Sequence, residues 1–230
     1  MAILEAIGVG KVYETRGVET VALDAVDLAV EEGEFAALAG PSGSGKTTLL
    51  NLLGALDAPS SGEVRLDGEK LADLSPAALS ELRLRKLGFV FQAYNLIPVF
   101  SAAENIEFVM ELQGVSAAER RKRAEALLAE VELEGLGEKR PLEMSGGQQQ
   151  RVAVARALAS RPRVILADEP TANLDSKTAI RLLELMAELN RNHGVTFLFS
   201  SHDPLVLERA RRRIWLRDGG IDRIEEGAVA

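Results

Sequence analysis

The run Gly40-Pro41-Ser42-Gly43-Ser44-Gly45-Lys46-Thr47-Thr48 decides how the rest of this chain is read. The apolar residues before it, Phe35-Ala36-Ala37-Leu38-Ala39, have the length of a short buried strand, and Thr48 to Leu53 after it reads as the start of a helix. The glycines therefore sit at a strand-to-helix turn. A helix start carries backbone N–H groups without partners and the positive end of the helix dipole. Gly40, Gly43 and Gly45 put no side chain in the way of an anion, so several of these N–H groups can wrap one phosphate.

The run matches G-x-x-x-x-G-K-[ST] in full, and a strand and a helix flank it as that phosphate-binding motif requires. In such a turn Lys46 is a point charge for the β- and γ-phosphates, and the Thr47 hydroxyl is a ligand for Mg²⁺. Ser42, Ser44 and Thr48 complete the ATP cradle. By itself the motif predicts nucleotide binding and nothing finer, because kinases, switches and motors share it.

Bulk composition narrows the partners. A length of 230 residues suits one domain with a sizeable insertion, and 47% hydrophobic with 27% charged residues is an ordinary soluble globular make-up. A formal net charge of -8 works against binding a phosphate backbone, so nucleic acid is not an expected partner. The absence of cysteine removes disulfides and thiolate metal sites, which fits a reducing cytoplasm. The start, MAILEAIGVG, carries an acid and alternates like a strand, so it does not read as a signal peptide. No apolar run reaches the roughly 18 residues of a membrane span. If the protein works at a membrane, another chain must cross it.

Along the chain, Ile3 to Val9, Ala25 to Val30 and Gly62 to Leu66 read as strands around the phosphate-binding turn. Ser75-Pro76 opens a helix to about Lys86, followed by a short strand, Gly88 to Phe91. Ser101-Ala102-Ala103-Glu104 and Ser116-Ala117-Ala118-Glu119 both have capping-box spacing, so two helices are expected next. From Arg163 strands and helices alternate: Val164 to Ala167, a helix from Ser176 to Asn192, Thr196 to Ser200, and a helix after Pro204. The chain closes in a hairpin around Asp218-Gly219-Gly220. Alternation implies parallel pairing, hence an α/β core holding a helical insertion. We read 1–230 as one domain, with 1–92 and 161–230 as the core and 93–160 as the helical part.

Two further segments carry chemistry. Val164-Ile165-Leu166-Ala167-Asp168-Glu169 is an apolar strand ending in two acids. Side chains alternate along a strand, so adjacent carboxylates do not share one target while the strand stays regular. Asp168 is assigned to Mg²⁺ and Glu169 to the γ-phosphate side, where it polarises the attacking water. Ser145-Gly146-Gly147-Gln148 opens the helical segment Val152 to Leu158, as a second anion-seeking helix start or as a plain turn into a helix.

Taken together, GPSGSGKTT, Gln92, MSGGQQQR, VILADEPT, Asn173-Leu174-Asp175 and Ser201-His202-Asp203 resemble the ATP-binding subunit of ABC transporters over essentially the whole chain. Phe91 to Pro98 and Asn173 to Thr178 are similar to the lipoprotein-release and macrolide-export group, whose permeases are of the FtsX type. The resemblance implies a P-loop NTPase (RecA-like) α/β core with an antiparallel β subdomain and an inserted helical subdomain. It implies that Tyr13 stacks on adenine, that Gln92 reaches Mg²⁺ and senses the γ-phosphate, and that His202 contacts the γ-phosphate beside the catalytic Glu169 and Lys46. It also implies that Ser145, Gly146, Gly147 and Gln148 complete the ATP site of a second copy, with Asp175 across the seam. The expected partners are Mg-ATP, a second copy of the chain and integral-membrane permease subunits on the cytoplasmic face of the cell membrane. A rival reading is an ATP-dependent switch or scaffold of a membrane complex, of the cell-division type. A small-molecule kinase would have no use for the MSGGQQQR run, and soluble relatives in DNA repair or translation usually carry a coiled-coil insertion or two cassettes.

The chain departs from that group's pattern at Ala172, where glycine is usual, and at Ser200-Ser201, where threonine is commoner. Neither change removes a chemical group from the site. The basic runs Glu119 to Arg123 and Arg209 to Arg213 could touch lipid or a partner loop, although charge runs on helices are mostly solvated faces. Phe89 to Ala103 has no charged residue; Tyr94 and Leu96 within it are candidates either for the core or for docking an apolar permease helix.

Overall fold

The computed structural model describes residues 1–15 and 17–227. Strands β1 (Ala2–Thr15) and β2 (Val18–Glu31) pair antiparallel, and β3 (Phe35–Ala39) runs into helix α1 (Lys46–Leu53). Strands β4 (Ser61–Leu66) and β5 (Glu69–Lys70) join β1 to make an antiparallel sheet of order β2-β1-β4-β5. Helix α2 (Pro76–Lys86) begins at Ser75, whose side chain accepts from the Ala78 N–H, and leads into β6 (Leu87–Phe91).

Helices α3 (Ala102–Leu112), α4 (Ala117–Glu130) and α5 (Gly146–Ala159) follow, then β7 (Val164–Asp168), α6 (Ser176–His193) and β8 (Thr196–Ser201). The chain ends with α7 (Pro204–Arg209) and the hairpin β9 (Arg212–Arg217) and β10 (Gly220–Glu226). The second sheet has the order β10-β9-β3-β8-β7-β6, parallel throughout except at the final hairpin.

This sheet separates two cores, and the period-2 geometry of its strands assigns side chains to each. Phe35, Ala37, Ile165, Ala167, Phe197 and Phe199 face a cluster shared with α3 to α6. Ala36, Leu38, Val164, Leu166 and Leu198 face the other, with Leu49, Leu50, Leu52 and Leu53 of α1 and the inner face of the antiparallel sheet. The strands are thus apolar at nearly every position, while α1 sits clamped between the two sheets. The inserted helices have no separate core: Val152, Val154 and Ala155 of α5 belong to the same cluster as the sheet phenylalanines.

The two expected capping boxes differ. The Ser101 hydroxyl accepts from the Glu104 N–H (3.2 Å) and the Glu104 carboxylate accepts from the Ser101 N–H (2.7 Å). Ser116 is the N-cap of α4 but makes no side-chain cap bond. Further along α4, burial and then the charge of Arg161 hold the Arg123 guanidinium below its usual value, and the charge of Glu119 opposes them only in part. Several cations of the basic runs are engaged within the chain: Arg121 pairs with Glu138 (2.7 Å), Arg123 donates to the Ala159 carbonyl (2.8 Å), and Arg212 pairs with Glu34 (3.1 Å).

The uncharged run between β6 and α3 is irregular backbone, and other elements supply its hydrogen bonds. Asn105, 1% exposed, accepts from the Ile97 N–H (2.8 Å) and donates to the carbonyls of Ile97 (3.2 Å), Phe100 (3.2 Å) and Ser101 (2.9 Å). Upstream, Asn173 donates to the Gln92 carbonyl (2.9 Å) and Arg156 to those of Tyr94 (2.9 Å) and Asn95. Tyr94 and Asn95 both hold left-handed backbone, φ 61° and 50°, so these bonds offset a local conformational cost. Asn105→Ala leaves buried polar groups of the loop unpaired. It is expected to lower unfolding free energy by about 2–4 kcal/mol in urea titrations.

Candidate active site

The turn between β3 and α1 is shaped by its neighbours' backbones. At Gly40 (φ 146°) a Cβ would lie 2.3 Å from the Leu216 carbonyl oxygen, and at Gly45 (φ 100°) 2.7 Å from that of Ala22. A side chain at either position would push β9 or β2 aside. Gly45 is also the N-cap of α1, which has no side-chain cap and no acid in its first turn. The opening amides of α1 therefore face outward with nothing of their own helix to satisfy them.

Lys46, 6% exposed, lies along this turn. Its Nζ donates to the carbonyls of Gly40 (2.8 Å) and Pro41 (3.0 Å), which leaves one N–H and a positive charge with no carboxylate in ion-pair range among the described residues. The buried Ser44 Oγ has no partner. Thr47 Oγ1 donates to Asp168 Oδ1 (3.0 Å) at the end of β7, and Ser200, paired with Asp168 in the sheet register, has a buried Oγ without a partner. The Thr47 hydroxyl and the Asp168 carboxylate are both oxygen donors, which suits a hydrated Mg²⁺.

Glu169, the next residue, leaves the strand with φ 45°, and its N–H donates to the Ser200 carbonyl (2.9 Å). Its carboxylate meets partners different from those of Asp168. Oε1 lies 2.7 Å from His202 Nδ1, and Oε2 accepts from Ser201 Oγ (3.1 Å).

A cavity of about 460 Å³ gathers Ser42, Gly43, Gly45, Lys46, Thr47 and Thr48 with Gln92, Glu169, Ala172 and His202. Gly40 and Ser44 are buried behind this wall. Its other side is Thr20-Val21-Ala22 of β2, which carried no signal in the sequence: Val21 is 62% exposed, and an exposed apolar residue on a hairpin strand matches no motif. Tyr13 stands opposite Thr20 across the β1–β2 pair and is not part of the cavity wall. Its hydroxyl donates to Asp57 (3.0 Å) and Lys11 Nζ lies 4.9 Å from its ring centroid, so a base can stack only on the other ring face. Hydrogen bonding from Lys11 holds the Asp57 carboxyl below the usual carboxylate range.

Ser145, Gly146, Gly147 and Gln148 form a separate surface at the start of α5. Ser145 and Gln148 close a capping box (3.3 and 2.9 Å). The glycines pack closely against neighbouring side chains: a Cβ at Gly146 would lie 2.7 Å from the Tyr94 hydroxyl, and one at Gly147 would lie 2.5 Å from a Thr178 methyl. Asp175 caps α6 through the N–H groups of Lys177 and Thr178 (both 3.1 Å) and the Thr178 hydroxyl (2.6 Å). These bonds, that of the Thr178 hydroxyl first, hold its carboxyl below the usual range. None of these five residues lines the cavity.

A parallel sheet, a glycine turn opening a helix and an acid at the end of a nearby strand define a P-loop nucleoside triphosphatase. The particular family follows from comparison: the profile described as "ABC transporter" matches residues 23–172, and the chain belongs to that family. It is 47% identical, over its whole length, to the macrolide export ATP-binding/permease protein MacB of Syntrophobacter fumaroxidans, of which it spans 32%. It is 48% identical to the lipoprotein-releasing system ATP-binding protein LolD of Anaeromyxobacter dehalogenans, over 95% of this chain and 92% of that one. Its fold matches the ATP-binding cassette MJ0796 of Methanocaldococcus jannaschii, solved as a dimer in a post-hydrolysis state with ADP and Pi. The TM-score is 0.91 at 44% identity, over 99% of this chain and 100% of that one. The chain is accordingly an ABC ATPase cassette.

Removing the one strong cation of the cradle tests its role. Lys46→Ala is expected to weaken ATP binding by roughly 10-fold to 100-fold, the worth of a charge-assisted hydrogen bond. Isothermal titration with ATP, beside a thermal melt, reads it.

Proposed function

We propose that two copies of this chain close head to tail around two Mg-ATP, and that closure and hydrolysis drive a membrane permease of the export or lipoprotein-release type. The observation that carries this reading is the separation of the two anion-seeking helix starts. The cradle of α1 and the Ser145–Gln148 turn of α5 do not share a cavity within one chain, so the turn is free to cover the ATP of a partner. The dimeric state of the solved relative supports it, and the names of the two curated relatives support a transport role.

In this site Gly40, Ser42, Gly43, Ser44, Gly45, Lys46, Thr47 and Thr48 hold the phosphates, and Tyr13 offers one face to the adenine. Thr47 and Asp168 hold Mg²⁺, with Gln92 reaching it from the loop after β6. When bound, the ion neutralises charge between the β- and γ-phosphates. Glu169 accepts hydrogen bonding from the attacking water and takes up its proton. His202 meets Glu169 through Nδ1, and its exposed ring turns to a γ-phosphate oxygen. Lys46 balances the negative charge that develops on transfer. Asp175 stands at the seam where the partner's cradle arrives.

The permease is assigned to a groove of about 390 Å³ between α2, β6, α3 and α5. Leu84, Phe89, Phe91 and Val109 give it apolar walls, and Arg83 and Arg156 add two guanidinium groups whose bonds run to hydroxyl and carbonyl oxygens rather than to acids. Tyr94 and Leu96, the candidates from sequence, do not line it: the Tyr94 hydroxyl lies against Gly146 and Leu96 packs on the core. The groove adjoins the loop that carries Gln92, so a helix seated there can bias the γ-phosphate contact. Among the described residues no helix is long and apolar enough to cross a membrane, which fits attachment from the cytoplasmic face through another chain.

Glu169→Gln keeps the shape of the base and loses its proton affinity. Hydrolysis is expected to fall by roughly 10²-fold to 10⁴-fold while ATP still binds. Size-exclusion chromatography with Mg-ATP then shows a trapped homodimer, and a variant that stays monomeric while binding ATP would sink the head-to-tail reading. The same variant carrying Ser145→Ala is expected to bind ATP as a monomer but to dimerise more weakly.

Val109→Asp places a charge in the groove wall away from ATP. It is expected to abolish co-purification with the permease and leave the ATPase rate of the isolated chain within about twofold, because a buried unpaired charge in a contact costs several kcal/mol.

A further inference from the structure

We infer that Ser201 is a positioning residue for hydrolysis, whose buried hydroxyl aims the Glu169 carboxylate; this rests on Glu169 being the base. Glu169 sits in left-handed backbone at the end of β7, with two side-chain partners of unequal firmness. The His202 side chain is 70% exposed, so it is free to leave Oε1 when it turns to a phosphate. Ser201 is fully buried at the end of β8 and holds Oε2 at 3.1 Å.

The direction of that bond is settled by the residue two positions on. The Asp203 N–H donates to Ser201 Oγ (3.1 Å), which occupies an acceptor position and leaves the single hydroxyl proton for the carboxylate. Asp203 is itself fixed, its Oδ1 accepting from the Leu205 N–H (2.9 Å) and its Oδ2 from the Thr171 hydroxyl (3.0 Å). Thr171 is 2% exposed and lies two residues after Glu169, and the Ala172 N–H returns to the Glu169 carbonyl (3.2 Å). Hydrogen bonds thus run from Glu169 through Ser201 and Asp203 to Thr171, and the two peptide bonds from Thr171 back to Glu169 complete the ring. Ser201 is the only side chain in that ring that touches the carboxylate. Without its hydroxyl, Oε2 is unpaired and the carboxylate is free to rotate when His202 moves.

The test compares Ser201→Ala, Ser201→Thr and Glu169→Gln by steady-state ATPase kinetics, with ATP titrations and melts. Ser201→Ala is expected to lower kcat by roughly 10-fold to 100-fold, the usual effect of a misplaced catalytic group, with KM and ATP affinity within about twofold. Ser201→Thr keeps the hydroxyl and restores kcat to within about threefold. Adding Ser201→Ala to Glu169→Gln produces no further loss, because the bond acts through the carboxylate. A wild-type kcat in Ser201→Ala overturns the proposal, as does a multiplicative loss in the double variant. Equal losses in the Ala and Thr variants, with KM raised and melting lowered in both, overturn it in favour of packing. A near-normal rate in Glu169→Gln would instead remove the base assignment, a result distinct from any of these.

Discussion

The unpaired amides at the start of α1 are the constraint on which the rest of the structure depends. A helix that begins after glycines with no side-chain cap is unstable there unless something else holds it and an anion completes it. What holds it is tertiary: α1 buries Leu49, Leu50, Leu52 and Leu53 between two sheets. The turn is pressed at Gly40 against the β9 backbone and at Gly45 against that of β2. Both sheets are thus needed to shape a cradle that belongs to neither. Lys46, folded onto the carbonyls of its own loop, supplies charge without a competing acid.

The C-terminal ends of the parallel strands supply the remaining chemistry. Asp168 and Glu169 are neighbours in sequence, yet the left-handed turn at Glu169 gives them separate partners, Thr47 for one and Ser201 with His202 for the other. In the proposed reaction one serves the metal side of the phosphates and the other the water side. Strain at Glu169 is tolerated because its backbone N–H, its carbonyl and both carboxylate oxygens are all engaged.

A chain of close contacts joins this centre to surfaces outside it. Asn173 holds the carbonyl of Gln92, Arg156 holds those of Tyr94 and Asn95, and the Tyr94 hydroxyl lies against Gly146. Thr178 touches Gly147 and donates to Asp175. The loop that carries Gln92, the groove beside it and the Ser145–Gln148 turn are therefore one packed unit. A shift at any of them is felt by the others, since interiors at crystal-like density transmit displacement.

The sequence by itself determined the elements and the cradle, because both are written in local terms. Five apolar residues before a glycine run have the length of a strand feeding a helix, and period-2 geometry then sends Phe35 and Ala36 to opposite cores. The family resemblance likewise rests on contiguous motifs. Only the tertiary structure decided what depends on residues far apart in the chain. It brought Thr20, Val21 and Ala22 to the cavity wall and left Tyr13 beside it. It laid Leu96, half-buried, against the core, left the capping box at Ser116 unmade and placed Ser201 against Glu169 across 32 residues. A serine at the end of a strand looks the same in sequence whether its hydroxyl meets solvent or a carboxylate. The difference lies in which strand packs beside it, and β7 beside β8 is a choice made by two cores together.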